Sequence, residues 1–292
     1  MFISRKPPRI VPTGQLLPWG LCAGLMLGTV GARQAGAQLQ HRTWNVDGVE
    51  REALVHVPTA ATTTPTAIVF AFHGHGGTAQ RVARAWNYQG LWPQAIVVYM
   101  QGLKTPGQIT DPEGTRTGWQ RTVGDQQDRD LKFLDAVLAS LEREYQVDKH
   151  RIYATGHSNG GSFTYLLWEA RPNTFAAFAP SAAVKRPLVT KGARPNPGFV
   201  PRPALIIAGR ADPLVKFAWQ QSMIDALLKL NKCGTGQPWK EDPRLTMYPS
   251  SVDAPVVTYI HSGGHVVPQD APALIVKFFR AHATPDGERP RR

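Results

Sequence analysis

The residue best suited to act as a nucleophile is Ser158, which stands in the pattern Gly-His-Ser-Asn-Gly at residues 156–160. Small residues on both sides of a serine allow a sharp turn between a strand and a helix, and this turn holds the hydroxyl group above the edge of a sheet. The pattern has only three fixed positions and occurs by chance in many unrelated chains. The role of Ser158 therefore depends on finding a base, an acid and an oxyanion site elsewhere.

Two further residues supply the groups that ester cleavage would require. A serine hydroxyl is a poor nucleophile unless a base removes its proton during the attack. We predict that His265, which follows two glycines, is this base and later protonates the leaving alcohol. Asp212 is the predicted acid, which holds the imidazole in one tautomer. The order Ser158, Asp212, His265 along the chain is the order typical of α/β-hydrolases.

Each of these two residues also has a simpler interpretation. His265 could cap a loop, and Asp212 could be an ordinary turn residue before Pro213. Asp253 is the nearest rival for the role of the acid. It precedes a predicted strand, however, and chemistry in parallel sheets gathers beyond the carboxyl ends of the strands.

The negative oxygen of a tetrahedral intermediate needs fixed hydrogen-bond donors. We predict that the backbone N–H groups of Asn159 and His75 supply them, and that the side chains at these positions matter less than the amides. His73 and His75 lie two residues apart without a third ligand, so we expect them to pack and to form hydrogen bonds. We predict no metal site and no cofactor. His157 is expected to shape the turn around Ser158.

Residues 103–127 are rich in Gly, Thr, Pro, Gln and Asp and are predicted to form a long surface loop. Loops of this length in compact domains are often functional. This loop carries Trp119, which is a candidate lining residue for the substrate pocket. An aromatic side chain at such a place is as often part of ordinary packing.

Short apolar runs alternate with helical periodicity along the chain. Continuous apolar runs of this kind are typical of strands that are covered on both faces. Strands that alternate with helices favour parallel pairing, so we predict an α/β-hydrolase fold, a three-layer sandwich with a mostly parallel central sheet. The predicted strands are at 53–57, 67–72, 95–100, 151–155, 175–179, 204–208 and 256–260, and the predicted helices are at 131–145, 160–170, 215–230 and 271–281.

The first 37 residues differ from the rest of the chain. Three basic residues precede an apolar run at 16–31, and the small residues at 35–37 fit the positions that a signal peptidase reads. As a helix this run would span roughly 24 Å, which is less than the roughly 30 Å of a hydrocarbon core. We therefore predict a signal peptide at 1–37, with an uncleaved anchor or a disordered tail as the alternatives.

The remainder is predicted to form a single catalytic domain at 38–284 and a basic tail at 285–292. A content of 42% hydrophobic and 18% charged residues is ordinary for a globular domain and excludes a disordered or membrane class for the bulk of the chain. Cleavage after residue 37 lowers the net charge from +12 to +8. Because the basic residues are dispersed, we predict no nucleic-acid partner, and we expect no stable membrane insertion after cleavage.

Six short motifs occur in order across most of residues 50–280. They are Phe72–Gly77, Gly118–Gln120, Asp130–Leu134 leading into Val147–Asp148, Tyr153–Gly161, Gly209–Asp212 and Gly263–His265. Their combination resembles the secreted polyhydroxybutyrate depolymerase-like esterases, which are relatives of feruloyl and acetylxylan esterases. This resemblance implies an extracellular serine esterase that acts on polyesters or on acylated plant polysaccharides. The predicted signal peptide by itself fits export to the periplasm or to the medium.

Three positions depart from that family. His75 stands where a cysteine is common, Val266 and Val267 stand where an aromatic residue is common, and Lys216-Phe217 stands where Pro-Tyr is common. The substrate is therefore less defined than the reaction. Our first hypothesis is a polyhydroxybutyrate depolymerase-like ester hydrolase, and the alternative is a feruloyl or acetylxylan esterase. Acyl transfer to a sugar hydroxyl, or a non-catalytic polymer-binding role on the same scaffold, also stays open.

Overall fold

The computed structural model describes residues 38–107, 109–185 and 198–284. The predicted signal peptide at 1–37 and the predicted tail at 285–292 lie outside these residues. Across the described ranges, no helix combines the length and the apolar character needed to cross a bilayer.

A ten-stranded sheet forms the centre of the fold, and two short strands form a separate ribbon. In chain order the strands are β1 (Gln40–Val46), β2 (Val49–His56), β3 (Thr66–Phe72), β4 (Ile96–Met100), β5 (Leu103–Lys104), β6 (Thr117–Gly118), β7 (Val147–His157), β8 (Ala177–Ser181), β9 (Ala204–Gly209), β10 (Gln237–Trp239), β11 (Asp242–Tyr248) and β12 (Val256–His261).

The spatial order of the large sheet is β1-β2-β4-β3-β7-β8-β9-β12-β11-β10. The six strands from β4 to β12 in this order pair in parallel. The pairs at both edges are antiparallel, and β5 pairs with β6 in the ribbon. The prediction of a mostly parallel sheet is confirmed.

Helices cover both faces of this sheet. They are α1 (Ala79–Trp86), α2 (Tyr88–Leu91), α3 (Arg129–Glu144), α4 (Asn159–Ala170), α5 (Phe217–Leu230) and α6 (Ala271–Arg280), with 3₁₀ turns at Thr59–Thr62 and Asp125–Asp128. Successive side chains of a strand point to opposite faces. In β3, Phe70 packs in a core cluster with residues of α3, α4 and α5, whereas Val69 packs in a second cluster with residues of α1, α2 and α6. These two clusters give the three layers.

Three antiparallel strands, β1, β10 and β11, were not predicted, whereas β2 overlaps the strand predicted at 53–57. β1 has mostly exposed or half-exposed residues, so its sequence lacks the apolar run that marks the central strands. It is joined to β2 by a tight turn at Asp47 and Gly48, both at positive φ, as a two-residue hairpin requires. The strand predicted at 175–179 instead begins at Ala177 and ends at Ser181.

The segment at 103–127 is anchored against the start of α3. The Gln120 side-chain oxygen accepts hydrogen bonds from the N–H groups of Asp130 and Leu131, at 3.0 and 3.2 Å. In return, the Asp130 carboxylate accepts a bond from the Gln120 N–H at 2.8 Å. The same carboxylate forms a buried ion pair with Arg51 at 2.8 Å. These contacts fix the segment at Gln120, next to Trp119, which bonds to the Asn159 side chain.

Candidate active site

Ser158 lies in a tight turn between a strand and a helix. Strand β7 ends at His157 and helix α4 begins at Asn159, so Ser158 alone makes the connection. Its backbone adopts φ 55° and ψ −118°, a conformation that a residue with a side chain adopts only when the surrounding structure enforces it. The Ser158 N–H donates to the Ser181 carbonyl at 2.9 Å, which holds the turn against the end of β8.

The two glycines of the pattern are required by close backbone contacts. A Cβ atom at Gly156 would lie 2.4 Å from the Gly160 carbonyl oxygen. A Cβ atom at Gly160 would lie 2.4 Å from the carbonyl oxygen of Phe72 on β3. The small residues therefore let α4 start immediately above the sheet.

A continuous hydrogen-bonded path joins Ser158, His265 and Asp212. The Ser158 Oγ lies 2.8 Å from His265 Nε2, and His265 Nδ1 lies 2.8 Å from Asp212 Oδ2. With the Nδ1 proton donated to the carboxylate, Nε2 is free to accept the serine proton. The structure thus brings together the three side chains that the sequence analysis selected.

The carboxylate of Asp212 is buried and held by its own loop. Its Oδ1 accepts the N–H groups of Leu214 and Val215, both at 2.9 Å. Its Oδ2 accepts a bond from the Gln220 side chain at 3.2 Å, in addition to the bond from His265. Sequence reasoning missed Gln220. The rival Asp253 lies before β12, at the end of that strand opposite to His265.

The two predicted oxyanion residues border the same cavity as Ser158. Asn159 is the first residue of α4, so its N–H has no acceptor inside the helix. In the loop after β3, the amides of Gly76 and Gly77 donate to the carbonyls of Thr117 and Gly74. These two amides are therefore engaged, and His75 remains the candidate from that loop.

A cleft of about 500 Å³ opens beside Ser158 and His265. Apolar and polar side chains both line it, and the described lining residues include two cations, the partly exposed Arg121 and the buried Lys185. Concave sites that combine apolar walls with polar groups are usual for small molecules. The apolar side chains are Ile109, Val184, Leu214, Val215 and Trp219.

The prediction that Trp119 lines the pocket is wrong. Its side chain is fully buried, stacks on Phe163 at a centroid distance of 5.3 Å, and donates from Nε1 to the His73 carbonyl at 2.8 Å. The aromatic residue that does line the cleft is Trp219, in the first turn of α5. Its position seven residues after Asp212, just beyond a strand exit, was the available signal.

The buried His73 and the half-buried His157 flank the site without a charge. His73 donates from Nδ1 to the Gly74 carbonyl at 2.8 Å and accepts from the Gly102 N–H at Nε2 at 3.0 Å. Burial lowers the pKa of His73 to about 4. The ring of His157 lies 4.7 Å from the ring of His265, and burial, followed by repulsion from His265, lowers the pKa of His157 to about 4. Both rings are therefore neutral near pH 7.

Three comparisons relate the chain to known proteins. A model of the prolyl oligopeptidase family matches residues 116–195, a stretch that includes Ser158 and excludes Asp212 and His265. The chain is 27% identical over 227 residues to a protein named probable feruloyl esterase C of Aspergillus flavus, covering 74% of this chain and 76% of that protein. It is 29% identical over 167 residues to feruloyl esterase C of Emericella nidulans, covering 56% and 58%. The chain is thus similar to feruloyl esterases.

Solved structures support the fold. The acetyl xylan esterase from Aspergillus awamori superimposes with a TM-score of 0.62 at 14% identity, covering 83% of this chain and 99% of that one. At this identity the likeness concerns the fold alone. The protein has an α/β-hydrolase fold.

Proposed function

We propose that this protein is a serine carboxylic-ester hydrolase with Ser158 as the nucleophile, His265 as the general base and Asp212 as the acid. The observation that carries the proposal is the unbroken path from Ser158 Oγ through both nitrogens of His265 to Asp212, with 2.8 Å at each step. At its Ser158 end, this path opens into a cleft that is large enough for an ester substrate. The similarity to feruloyl esterases supports the same reaction class.

The reaction would proceed through an acyl-enzyme. Ser158 Oγ attacks the ester carbon while its proton moves to His265 Nε2, and the carbonyl oxygen becomes an anion that the amides of His75 and Asn159 stabilise. Collapse of this intermediate breaks the bond to the alcohol, which takes the proton from His265. Water, activated by His265, then attacks the acyl-enzyme, and the carboxylic acid is released as the serine is restored.

For the substrate we propose acyl groups on plant polysaccharide, with feruloyl esters first. The names of the similar proteins support this class, and the apolar side chains around Trp219 would suit an aromatic acyl group. A polyester such as polyhydroxybutyrate is the second candidate, because the motif combination resembles esterases that act on it. We also propose export from the cytoplasm, which rests on the sequence of residues 1–37.

The test is a substrate panel on the purified protein, with p-nitrophenyl acetate, methyl ferulate, acetylated xylan and amorphous polyhydroxybutyrate. Ser158→Ala should lower turnover of every accepted ester by several orders of magnitude. Ser222→Ala, which removes an exposed hydroxyl from α5, is the matched control and should keep the parent activity. Turnover by Ser158→Ala within tenfold of the parent would contradict the proposal.

Two remaining alternatives are separated by the same assay. An acyltransferase would acylate an added sugar alcohol, whereas a hydrolase leaves the acceptor unacylated. A non-catalytic binding protein would turn over none of the esters.

A further inference from the structure

The side chains of both proposed oxyanion residues are bound by one neighbouring segment. We name residues 110–119 the clamp loop. It contacts the His75 ring through Asp111 and the Asn159 side chain through Trp119. The amide of His75 belongs to the loop after β3, and the amide of Asn159 belongs to the first residue of α4. A segment that supports both residues therefore affects the distance and angle between the two amides.

The contact to His75 is a hydrogen bond of 2.9 Å from Nε2 to Asp111 Oδ2. The Asp111 carboxylate also accepts bonds from the Thr115 N–H at 3.0 Å, the Thr115 hydroxyl at 2.6 Å and the Arg116 N–H at 2.9 Å. These bonds, Thr115 first, hold the pKa of Asp111 well below its usual range. Asp111 is therefore a charged acceptor with a fixed direction, and the imidazole has to donate to it.

The His75 ring has little room to move. A Cβ atom at Gly118 would lie 2.7 Å from His75 Nδ1, and one at Gly107 would lie 3.2 Å from Nε2. The ring thus lies directly against backbone on two sides, while Asp111 holds Nε2. Rotation of the ring would break the bond to Asp111.

The contact to Asn159 is made by both polar groups of its amide. The Oδ1 accepts the Trp119 N–H at 2.7 Å, and the Nδ2 donates to the Trp119 carbonyl at 3.1 Å. Trp119 is itself immobilised, because its ring is buried against Phe72 and Phe163 and its Nε1 bonds to the His73 carbonyl. The clamp loop therefore holds the side chain of the first residue of α4 as well as that of His75.

The clamp loop also bonds to the backbone on the far side of His75. The Gly76 N–H donates to the Thr117 carbonyl at 2.7 Å, and the Thr117 hydroxyl donates to the Gly77 carbonyl at 2.6 Å. The loop after β3 is thus held at its backbone and at the His75 side chain.

We propose that the clamp loop sets the separation and direction of the two oxyanion amides, with Asp111 and the Asn159 side chain as positioning residues. This inference rests on the proposed function. Fixed donors stabilise a developing anion without reorganisation, and a displacement of about 1 Å can cost about 100-fold in rate. The site then depends on these side chains, which the sequence analysis expected to matter less than the amides.

The test compares Asp111→Ala and Asn159→Ala with Glu113→Gln, which removes an exposed charge from the same loop. Because the oxyanion forms in the transition state, each of the first two variants should lower kcat by about 10- to 100-fold with KM within about threefold of the parent. Glu113→Gln should match the parent. A kcat within twofold of the parent in both alanine variants would overturn the inference.

Two further readouts separate positioning from a loss of folding. A trifluoromethyl ketone forms an adduct with Ser158 that carries an oxyanion. Its inhibition constant should therefore rise in the two alanine variants by the same factor as kcat/KM falls, and an unchanged constant would contradict the inference. The milder Asp111→Asn variant retains one acceptor oxygen and tests the same point if Asp111→Ala does not fold.

A double-mutant cycle tests whether Asp111 acts through His75. If it does, His75→Ala combined with Asp111→Ala should lose no more kcat than the larger of the two single changes. Fully additive losses would show that Asp111 acts by another route. If the parent hydrolyses no ester, the proposed function fails and this inference fails with it; if the parent is active and the variants match it, only the inference fails.

Discussion

Ser158 Oγ and His265 Nε2 lie 2.8 Å apart although 107 positions separate the two residues in the chain. The strands that precede them, β7 and β12, are not neighbours, since β8 and β9 lie between them. The segment after β12 therefore has to extend over the end of β9, where the Ala211 N–H bonds to the Gly263 carbonyl at 3.1 Å. This crossing places His265 above Asp212 and within reach of Ser158.

The first prediction concerns the choice between two carboxylates. Asp212→Asn should lower kcat by about 10²- to 10⁴-fold, because the amide no longer holds the His265 tautomer that accepts the serine proton. Asp253→Asn should leave kcat unchanged, because Asp253 lies beyond the opposite end of β12. Steady-state kinetics with a p-nitrophenyl ester decide between them, and a larger loss in Asp253→Asn would move the acid role to that residue.

The second prediction concerns the turn at Ser158. Gly160→Ala would bring a Cβ atom to 2.4 Å from the Phe72 carbonyl oxygen and 2.5 Å from that of His73, so β3 or α4 has to shift. We expect the free energy of unfolding to fall by about 1–3 kcal/mol, with a loss of activity. Gly234→Ala is the control, since its Cβ would meet nothing closer than 3.8 Å. Equal denaturation midpoints for the two variants would refute this account of the turn.

The third prediction concerns acid stability. His73 and His157 have pKa values of about 4 in the folded protein against an ordinary value of 6.5. Between these values the unfolded chain binds more protons, so the free energy of unfolding should decrease as the pH falls from about 6.5 to about 4. Each histidine contributes up to roughly 3 kcal/mol to this decrease.

Chemical denaturation of the parent and of a His73→Gln, His157→Gln double variant, at several pH values in this window, measures the effect. The variant should show a shallower dependence on pH, because the contribution of these two histidines is removed. Parallel curves for the two proteins would mean that these histidines do not drive the acid sensitivity.

The central strands and the turn at Ser158 were open to prediction because their signals are local. The apolar run at 67–72 and the glycine spacing around Ser158 follow from close packing at single sites. The fold class and the similarity to feruloyl esterases are confirmed. The antiparallel strands β1, β10 and β11 were missed, because half-exposed antiparallel strands carry no continuous apolar run.

The role of Trp119 was not predictable in the same way. A tryptophan on a glycine-rich segment is compatible with a pocket wall or with a buried anchor, and only the packing of Phe72 and Phe163 around it decides. The bond between Asp111 and His75 was hidden for a similar reason. It depends on the folding of a loop back onto a residue 36 positions away, for which no periodicity exists.

The central claim is that Ser158 is an activated nucleophile, and covalent labelling with a fluorophosphonate probe measures this most directly. The folded protein should react at one site, which mass mapping of the digested protein assigns to Ser158, whereas heat-denatured protein and His265→Ala should remain essentially unlabelled. Failure of the folded parent to react, or labelling at a serine other than Ser158, would contradict the account.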